Sequence, residues 1–240
     1  MKTIGIIPAR YSATRLPGKP LIDICGKPLI QYVYEQAKKS KVLDEVIVAT
    51  DDERILIAVE KFGGKAVMTS PSHPTGTDRC AEVAERMDCD FVVNIQGDEP
   101  LIPPELIDKV AEALRESTSE VPMTSAATIA TGEEREDSNV VKVVMDRKGT
   151  ALYFSRSPIP FLRNPVAPTY RHIGIYGYRR DFLLKFVSLP QTPLEKTESL
   201  EQLRALEHGY RIKIVIVDYS PVGVDTPQDL ERVKKLLGCK

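Results

Sequence analysis

The sequence predicts an α/β fold: a mostly parallel sheet covered by helices on both faces, with a β-rich insertion at about residues 123–190. Short apolar runs alternate with amphipathic stretches as far as residue 115, which is the rhythm of repeated β-loop-α units. Runs such as Val46–Ala49 read as buried strands, apolar at every position because both faces are covered. Size is the third observation. With 240 residues, 42% hydrophobic and 28% charged, the chain can bury a core without a metal staple.

Taken in order, Thr3–Ile7 is a β-rich run followed by a polar, glycine-bearing loop from Pro8 to Pro20. Pro28 opens a helix to about Lys39, with Leu29, Ile30, Val33 and Ala37 at helical spacing. Glu45–Thr50 is the next strand, and Asp51 or Asp52 caps a helix that stops at Gly63-Gly64. A helix over about Thr77–Met87, a strand over Asp90–Ile95 and a helix opened by Pro103-Pro104 complete this half. Then the rhythm changes. Met123–Ala130, Asn139–Met145 and Thr150–Phe154 read as strands without long helices between them, and the prolines of Ser155–Tyr170 mark an extended excursion. His172–Tyr178 is a strand, Glu201–Glu207 a short helix, Ile212–Val217 a last core strand, and Asp225-Thr226-Pro227 starts a terminal helix. Residues 1–240 are expected to form one α/β domain with the inserted lobe.

Composition excludes several classes. Lysine and arginine number 33 against 34 acidic residues, a net charge of −1, which argues against bulk binding to nucleic acid or an anionic membrane. Cys25, Cys80, Cys89 and Cys239 form no C-x-x-C pair and read as reduced thiols. The first residues lack a signal peptide's apolar region, and no stretch approaches the length of a membrane span. The expectation is a soluble cytoplasmic protein.

In a parallel sheet, ligands sit beyond the carboxyl ends of the strands, so the loops Pro8–Pro20, Thr50–Asp52 and Gln96–Pro100 are the places to search. Residues 1–34 hold five basic side chains against Asp23 alone, and Arg10, Arg15 and Lys19 share one loop. Such a loop offers cations and backbone N–H groups to a polyanion; on charge alone it is equally a solvated basic turn. It is neither a Walker loop nor a dinucleotide fingerprint. In Asn94-Ile95-Gln96-Gly97-Asp98-Glu99-Pro100, Asp98 follows a strand and a glycine that allows close approach, a placement suited to Mg²⁺ on a phosphate.

The run Pro8-Ala9-Arg10-Tyr11-Ser12-Ala13-Thr14-Arg15-Leu16-Pro17-Gly18-Lys19-Pro20-Leu21 resembles the signature of the sugar nucleotidyltransferases. Within them it is similar to the branch that activates acidic sugars as CMP derivatives, and most of all to the 3-deoxy-manno-octulosonate (Kdo) cytidylyltransferases of lipopolysaccharide biosynthesis. The resemblance covers residues 3 to 237 and implies a three-layer, Rossmann-like fold. It implies that Ala9, Arg10, Ser12, Arg15 and Lys19 wrap the triphosphate of CTP, and that Thr75, Gly76, Asp78 and Arg79, with Gln96 and Gly97, approach base and ribose. Asp98 and the distal Asp225 would hold Mg²⁺, though Asp225 also fits an N-cap, and Asp78 with Arg79 fits a first-turn surface pair. Gln96, Arg156, His172, Tyr176, Glu201 and Gln202 would bind the sugar acid, Arg156 as a fork for its carboxylate. A lone strand histidine is otherwise a structural residue. The implied reaction is CTP plus Kdo giving CMP-Kdo and pyrophosphate, run by Arg10, Arg15, Lys19, Asp98 and Asp225 through positioning and charge. The implied assembly is a homodimer. A nucleotidyltransferase for sialic acid or another 3-deoxy-octulosonate, and a non-catalytic nucleotide-binding module, are the competing readings.

Overall fold

The computed structural model describes residues 1–12, 16–164 and 166–239. Along the chain run β1 (Thr3–Ala9), a 3-10 turn (Lys19–Leu21), the small hairpin β2 (Asp23–Ile24) and β3 (Lys27–Pro28), α1 (Leu29–Ala37), β4 (Glu45–Thr50), α2 (Glu53–Lys61), β5 (Ala66–Met68) and α3 (Gly76–Glu85). β6 (Phe91–Asn94), α4 (Pro104–Glu116), β7 (Met123–Ile129), α5 (Gly132–Glu136), β8 (Lys142–Met145), β9 (Ala151–Ser155) and β10 (Tyr170–Arg179) follow. α6 (Arg180–Ser188), α7 (Pro193–Glu198), α8 (Gln202–Glu207), β11 (Ile212–Ile216) and α9 (Pro227–Leu236) close the chain.

The main sheet has the order β11-β7-β10-β6-β1-β4-β5. β10 is antiparallel to both β6 and β7, while β1, β4, β5 and β6 pair in parallel and β11 is parallel to β7. Successive strand residues point to opposite faces. Val46 and Val48 therefore pack in the core cluster with α1, α2 and α4, while Ile47 and Ala49 pack in the one with α3 and α6. Both faces are filled with apolar side chains, which is why these strands read as unbroken apolar runs.

Within 123–190, where the β-rich insertion is expected, β7 and β10 are strands of the main sheet. β8 pairs with the start of β10 and with β9, outside the main strand order. The fully buried Lys142 anchors this region: its Nζ donates to the carbonyls of Asp137, Val140 and Arg156 at 2.8, 2.6 and 2.5 Å. α6 and α7 were not foreseen in the sequence, although α6 buries Phe182, Leu183 and Phe186 at helical spacing.

Two expectations need correction. Asp225 does not cap α9: the N-cap is Thr226, in a capping box with Asp229, because the hydroxyl one residue later reaches the first-turn N–H groups. The four cysteines are not all thiols. Cys80 and Cys89 are free and buried, but Cys25 and Cys239 are joined in a disulfide, their Cα atoms 5.6 Å apart. Sequence spacing could not show this pairing, which exists because α9 carries the end of the chain back to the β2–β3 turn.

Candidate active site

The topology explains why distant loops meet. β1, β6, β7 and β11 all run in one direction, so the segments after β1, β6 and β11 emerge at the same edge of the sheet. β10 runs the other way, so its beginning lies at that edge too. Arg10, Asp98, Asp225 and His172 follow or begin these strands.

Gly97 lets the loop after β6 close on the loop after β1: a methyl group on it would stand 2.9 Å from the Pro8 carbonyl oxygen. Gly18 turns the first loop with φ of 69°, in the left-handed region that favours glycine, and its N–H donates to the Tyr11 carbonyl at 2.9 Å. Lys19 follows, and its ammonium lies between two carboxylates, 2.7 Å from Asp98 Oδ2 and 3.0 Å from Asp225 Oδ1. Burial opposes the charge on Lys19, but Asp98 and Asp225 together outweigh it and hold its pKa above the ordinary lysine value. Glu99, next to Asp98, is buried, and burial followed by repulsion from Asp98 pushes its pKa up to about 8. Among the described residues no group of three or more His, Cys, Asp or Glu is placed to hold a metal.

Around this centre lies a cavity of about 360 Å³ lined by Ala9, Arg10, Lys19, Thr75, Gly76, Arg79, Gln96, Gly97, Asp98 and Asp225. Ten of the sequence-predicted residues thus converge. The cavity is also lined by His73, which was not assigned from sequence; its Nε2 pairs with Glu82, whose carboxylate also accepts from the Ser70 N–H. Arg79 is neither a surface residue nor a free cation: it is 3% exposed and bonded to Thr69 and Asp51 at 2.5 and 2.8 Å. Asp78 does not line the cavity. It completes the capping box of α3 with Thr75. Gly76 is the first helical residue, and what a side chain there would meet is Pro8, at 3.1 Å; close approach, not unusual backbone angles, is the constraint. Ser12 is exposed and outside the lining. Arg15 lies outside the described residues.

A second cavity of about 320 Å³ is lined by His172, Tyr176, Glu201 and Gln202 as the sequence predicts, and also by Arg171 and Asn139. Gln96 connects the two, because a methyl group on Gly174, a lining residue here, would stand 3.9 Å from Gln96 Cγ. The β10–β7 register skips Gly174 and Ile175, and this bulge gathers the polar groups. Ser125 Oγ lies 2.8 Å from the Ile175 carbonyl, 3.2 Å from the Ile173 carbonyl and 2.8 Å from His172 Nε2. Its one proton goes to a carbonyl, which can only accept, so Nε2 carries the ring proton and Nδ1 is an acceptor. Burial pushes the His172 pKa down to about 3, so the ring is neutral. The amide nitrogen of the buried Gln202 has no hydrogen-bond partner among the described residues.

Arg156 is not among the residues lining either cavity. Its guanidinium donates to the carbonyls of Glu198 and Ser138 at 2.9 and 3.2 Å, just behind the lining residues Ser199 and Asn139. Arg171, paired with Glu134, is the arginine that reaches the second cavity. Sequence reasoning missed it because an arginine on a strand carries no motif of its own.

Residues 4–214 match the family model for cytidylyltransferases. The chain is 53% identical to the 3-deoxy-manno-octulosonate cytidylyltransferase of Geotalea uraniireducens, over 99% of each chain. It is 51% identical to the enzyme of the same name from Thermodesulfovibrio yellowstonii, over 99% of this chain and 98% of that one. Among solved structures, a CMP:2-keto-3-deoxy-manno-octonic acid synthetase complexed with CTP superposes with a TM-score of 0.96 at 45% identity, covering 99% of both chains. A 4-diphosphocytidyl-2C-methyl-D-erythritol synthase from Anaerococcus prevotii, 20% identical with a TM-score of 0.66, shares the fold. With a carboxylate pair, a cationic first loop and a full-length match of this kind, the chain belongs to the cytidylyltransferase family, in its 3-deoxy-manno-octulosonate branch.

Proposed function

We propose that the protein transfers CMP from CTP to the anomeric hydroxyl of Kdo, releasing pyrophosphate and supplying CMP-Kdo for lipopolysaccharide. The observation that carries this reading is the convergence of Asp98 and Asp225 on one ammonium, at the wall of a cavity that also holds Arg10 and adjoins a second, sugar-sized one.

The hydroxyl oxygen attacks the α-phosphorus, a P–O bond forms, the bond to the departing pyrophosphate breaks, and the hydroxyl proton is released to water. Catalysis of such a transfer is positioning and charge neutralisation. Arg10 and Lys19 supply positive charge to the phosphates, with Arg15 as a further cation of the same loop. Ala9, Gly76 and Gly97 let backbone approach the nucleotide closely, with Ser12, Asp78 and Arg79 supporting it. In the second cavity His172 Nδ1 and Glu201 accept from sugar hydroxyls, Gln202 donates, and Gln96 and Tyr176 complete the wall. Arg156 steadies the rim through its carbonyl contacts, and Arg171 offers charge to the acid.

Asp98 and Asp225 are the residues that would hold Mg²⁺. The fit is chemical: two hard carboxylates already share one cation, and Mg²⁺ in phosphate sites takes one or two carboxylates with substrate oxygens and water. Bound there, the ion would neutralise phosphate charge and acidify the attacking hydroxyl. The reading includes a homodimer, supported by the exposed apolar side chains of Leu152 on β9 and of Phe161 and Val166 between β9 and β10. It includes one α/β domain acting in the cytoplasm, where CTP is made; no helix among the described residues is long and apolar enough to cross a membrane.

A pyrophosphate-release assay with CTP, Mg²⁺ and a panel of acids tests this. Turnover with Kdo well above that with sialic acid or another 3-deoxy-octulosonate is expected. CTP binding with no pyrophosphate from any acid would replace the reading with a binding module.

A further inference from the structure

Glu201 stands directly before α8, on the wall of the second cavity, yet its carboxylate is held from the first. Thr77 Oγ1 donates to Glu201 Oε2 at 2.5 Å, and Thr75 Oγ1 lies 3.0 Å from Glu201 Oε1. Both threonines belong to the opening of α3. Thr75 is its N-cap and lines the nucleotide cavity, while Thr77 is 3% exposed in the first turn. From the other side, Arg204 approaches Glu201 Oε1 at 3.7 Å and is itself fixed by Glu195 at 2.5 and 2.9 Å. Each carboxylate oxygen has two lone-pair directions. Thr77 fills one on Oε2, which fixes where the other points, while the single Thr75 hydroxyl proton lies between Glu201 Oε1 and the nearer Asp78 Oδ2, at 3.0 and 2.6 Å.

We propose that Thr77, together with Thr75, is a positioning residue that ties the nucleotide loop to Glu201, so that nucleotide and sugar acid bind cooperatively. The inference rests on the reading above that assigns the two cavities to CTP and Kdo. A nucleotide that orders the start of α3 also orders the Glu201 carboxylate, and a sugar held by Glu201 orders the start of α3. The coupling is reciprocal, as any linkage between binding free energies must be.

Calorimetry of the whole protein tests it, with CMP in place of CTP so that no transfer occurs. Kdo should bind about fivefold or more tightly when CMP is saturating, the lower end of ordinary coupling. Thr77→Val keeps the shape and removes the hydroxyl. It should abolish that gain and, with it, the matching gain in CMP affinity at saturating Kdo, while CMP affinity in the absence of Kdo stays within twofold, and Thr77→Ser should restore both gains. Coupling that survives in Thr77→Val overturns the proposal. If wild-type protein binds both ligands with affinities independent of each other, the coupling falls and the cavity assignment stands; if it binds neither, the assignment falls and takes the coupling with it. Should Thr77→Val not fold, hydrogen exchange on wild-type protein decides. Kdo should protect the amides of residues 76–79 and CMP those of 200–204, and protection confined to each ligand's own cavity overturns the proposal.

Discussion

The backbone N–H of Val224 donates to the carbonyl of Asp98 at 2.9 Å. This one bond sets the register between the loop after β6 and the segment leading to α9. Val224 is fully buried, so the pairing is shielded from water. Asp98 and Asp225 therefore meet because the main chain brings them together, with Lys19 between the resulting charges.

Asp98→Asn should lower turnover by about a hundredfold or more, the usual cost of removing a charge-stabilising group, with the thermal midpoint changed by only a few degrees. Pyrophosphate release at saturating Mg²⁺ and thermal unfolding measure the two. Near-normal turnover would remove Asp98 from the chemistry.

Gly97→Ala should both destabilise and slow the enzyme. The added carbon would meet the Pro8 carbonyl oxygen at 2.9 Å, and backbone on both sides leaves nothing soft to yield. A loss of about 1–3 kcal/mol is expected by analogy with overpacking, read by urea unfolding, together with a raised KM for CTP. Unchanged values would mean that the two loops are not in contact as described.

His172 gives a pH test. Its folded pKa of about 3 lies far below the ordinary 6.5. Between these values the unfolded chain binds a proton that the native one does not, so stability falls as pH drops through this window. From pH 7 to pH 5, wild type should lose about 2 kcal/mol more than His172→Gln. Parallel urea curves for the two proteins would show that the ring is not buried neutral. Nitrogen NMR should find the ring proton on Nε2.

Much of this arrangement was legible in the sequence. The buried strands announced themselves through apolar runs, and the first loop and the Gln96–Asp98 segment through charge, glycine and position after a strand. Other parts depend on three-dimensional pairing. The β10 bulge that aims Ser125 at His172 follows from register with β7, which no local pattern records. Arg156 and Arg171 have the same chemistry, and only the course of β10 and the Glu198 carbonyl decides which one faces the cavity. Thr226 displaced Asp225 as the cap because both residue types cap well and one position separates them.

Reducing the Cys25–Cys239 bond should lower the thermal midpoint while leaving the structure of α3 and the sheet intact. The bridge closes a sequence separation of 214 residues, for which the chain-entropy model gives at most about 5 kcal/mol. Calorimetry with and without a phosphine reductant, with Cys25→Ser as control, measures it. Identical midpoints in all three samples would mean that the bond does not form in solution.

That covalent closure has a consequence for proteolysis. A protease that cuts anywhere between residues 25 and 239, for instance in the exposed stretch around Phe161, severs the backbone without separating the pieces. The nicked protein would migrate as one species in a denaturing gel and fall into two fragments only after a thiol is added.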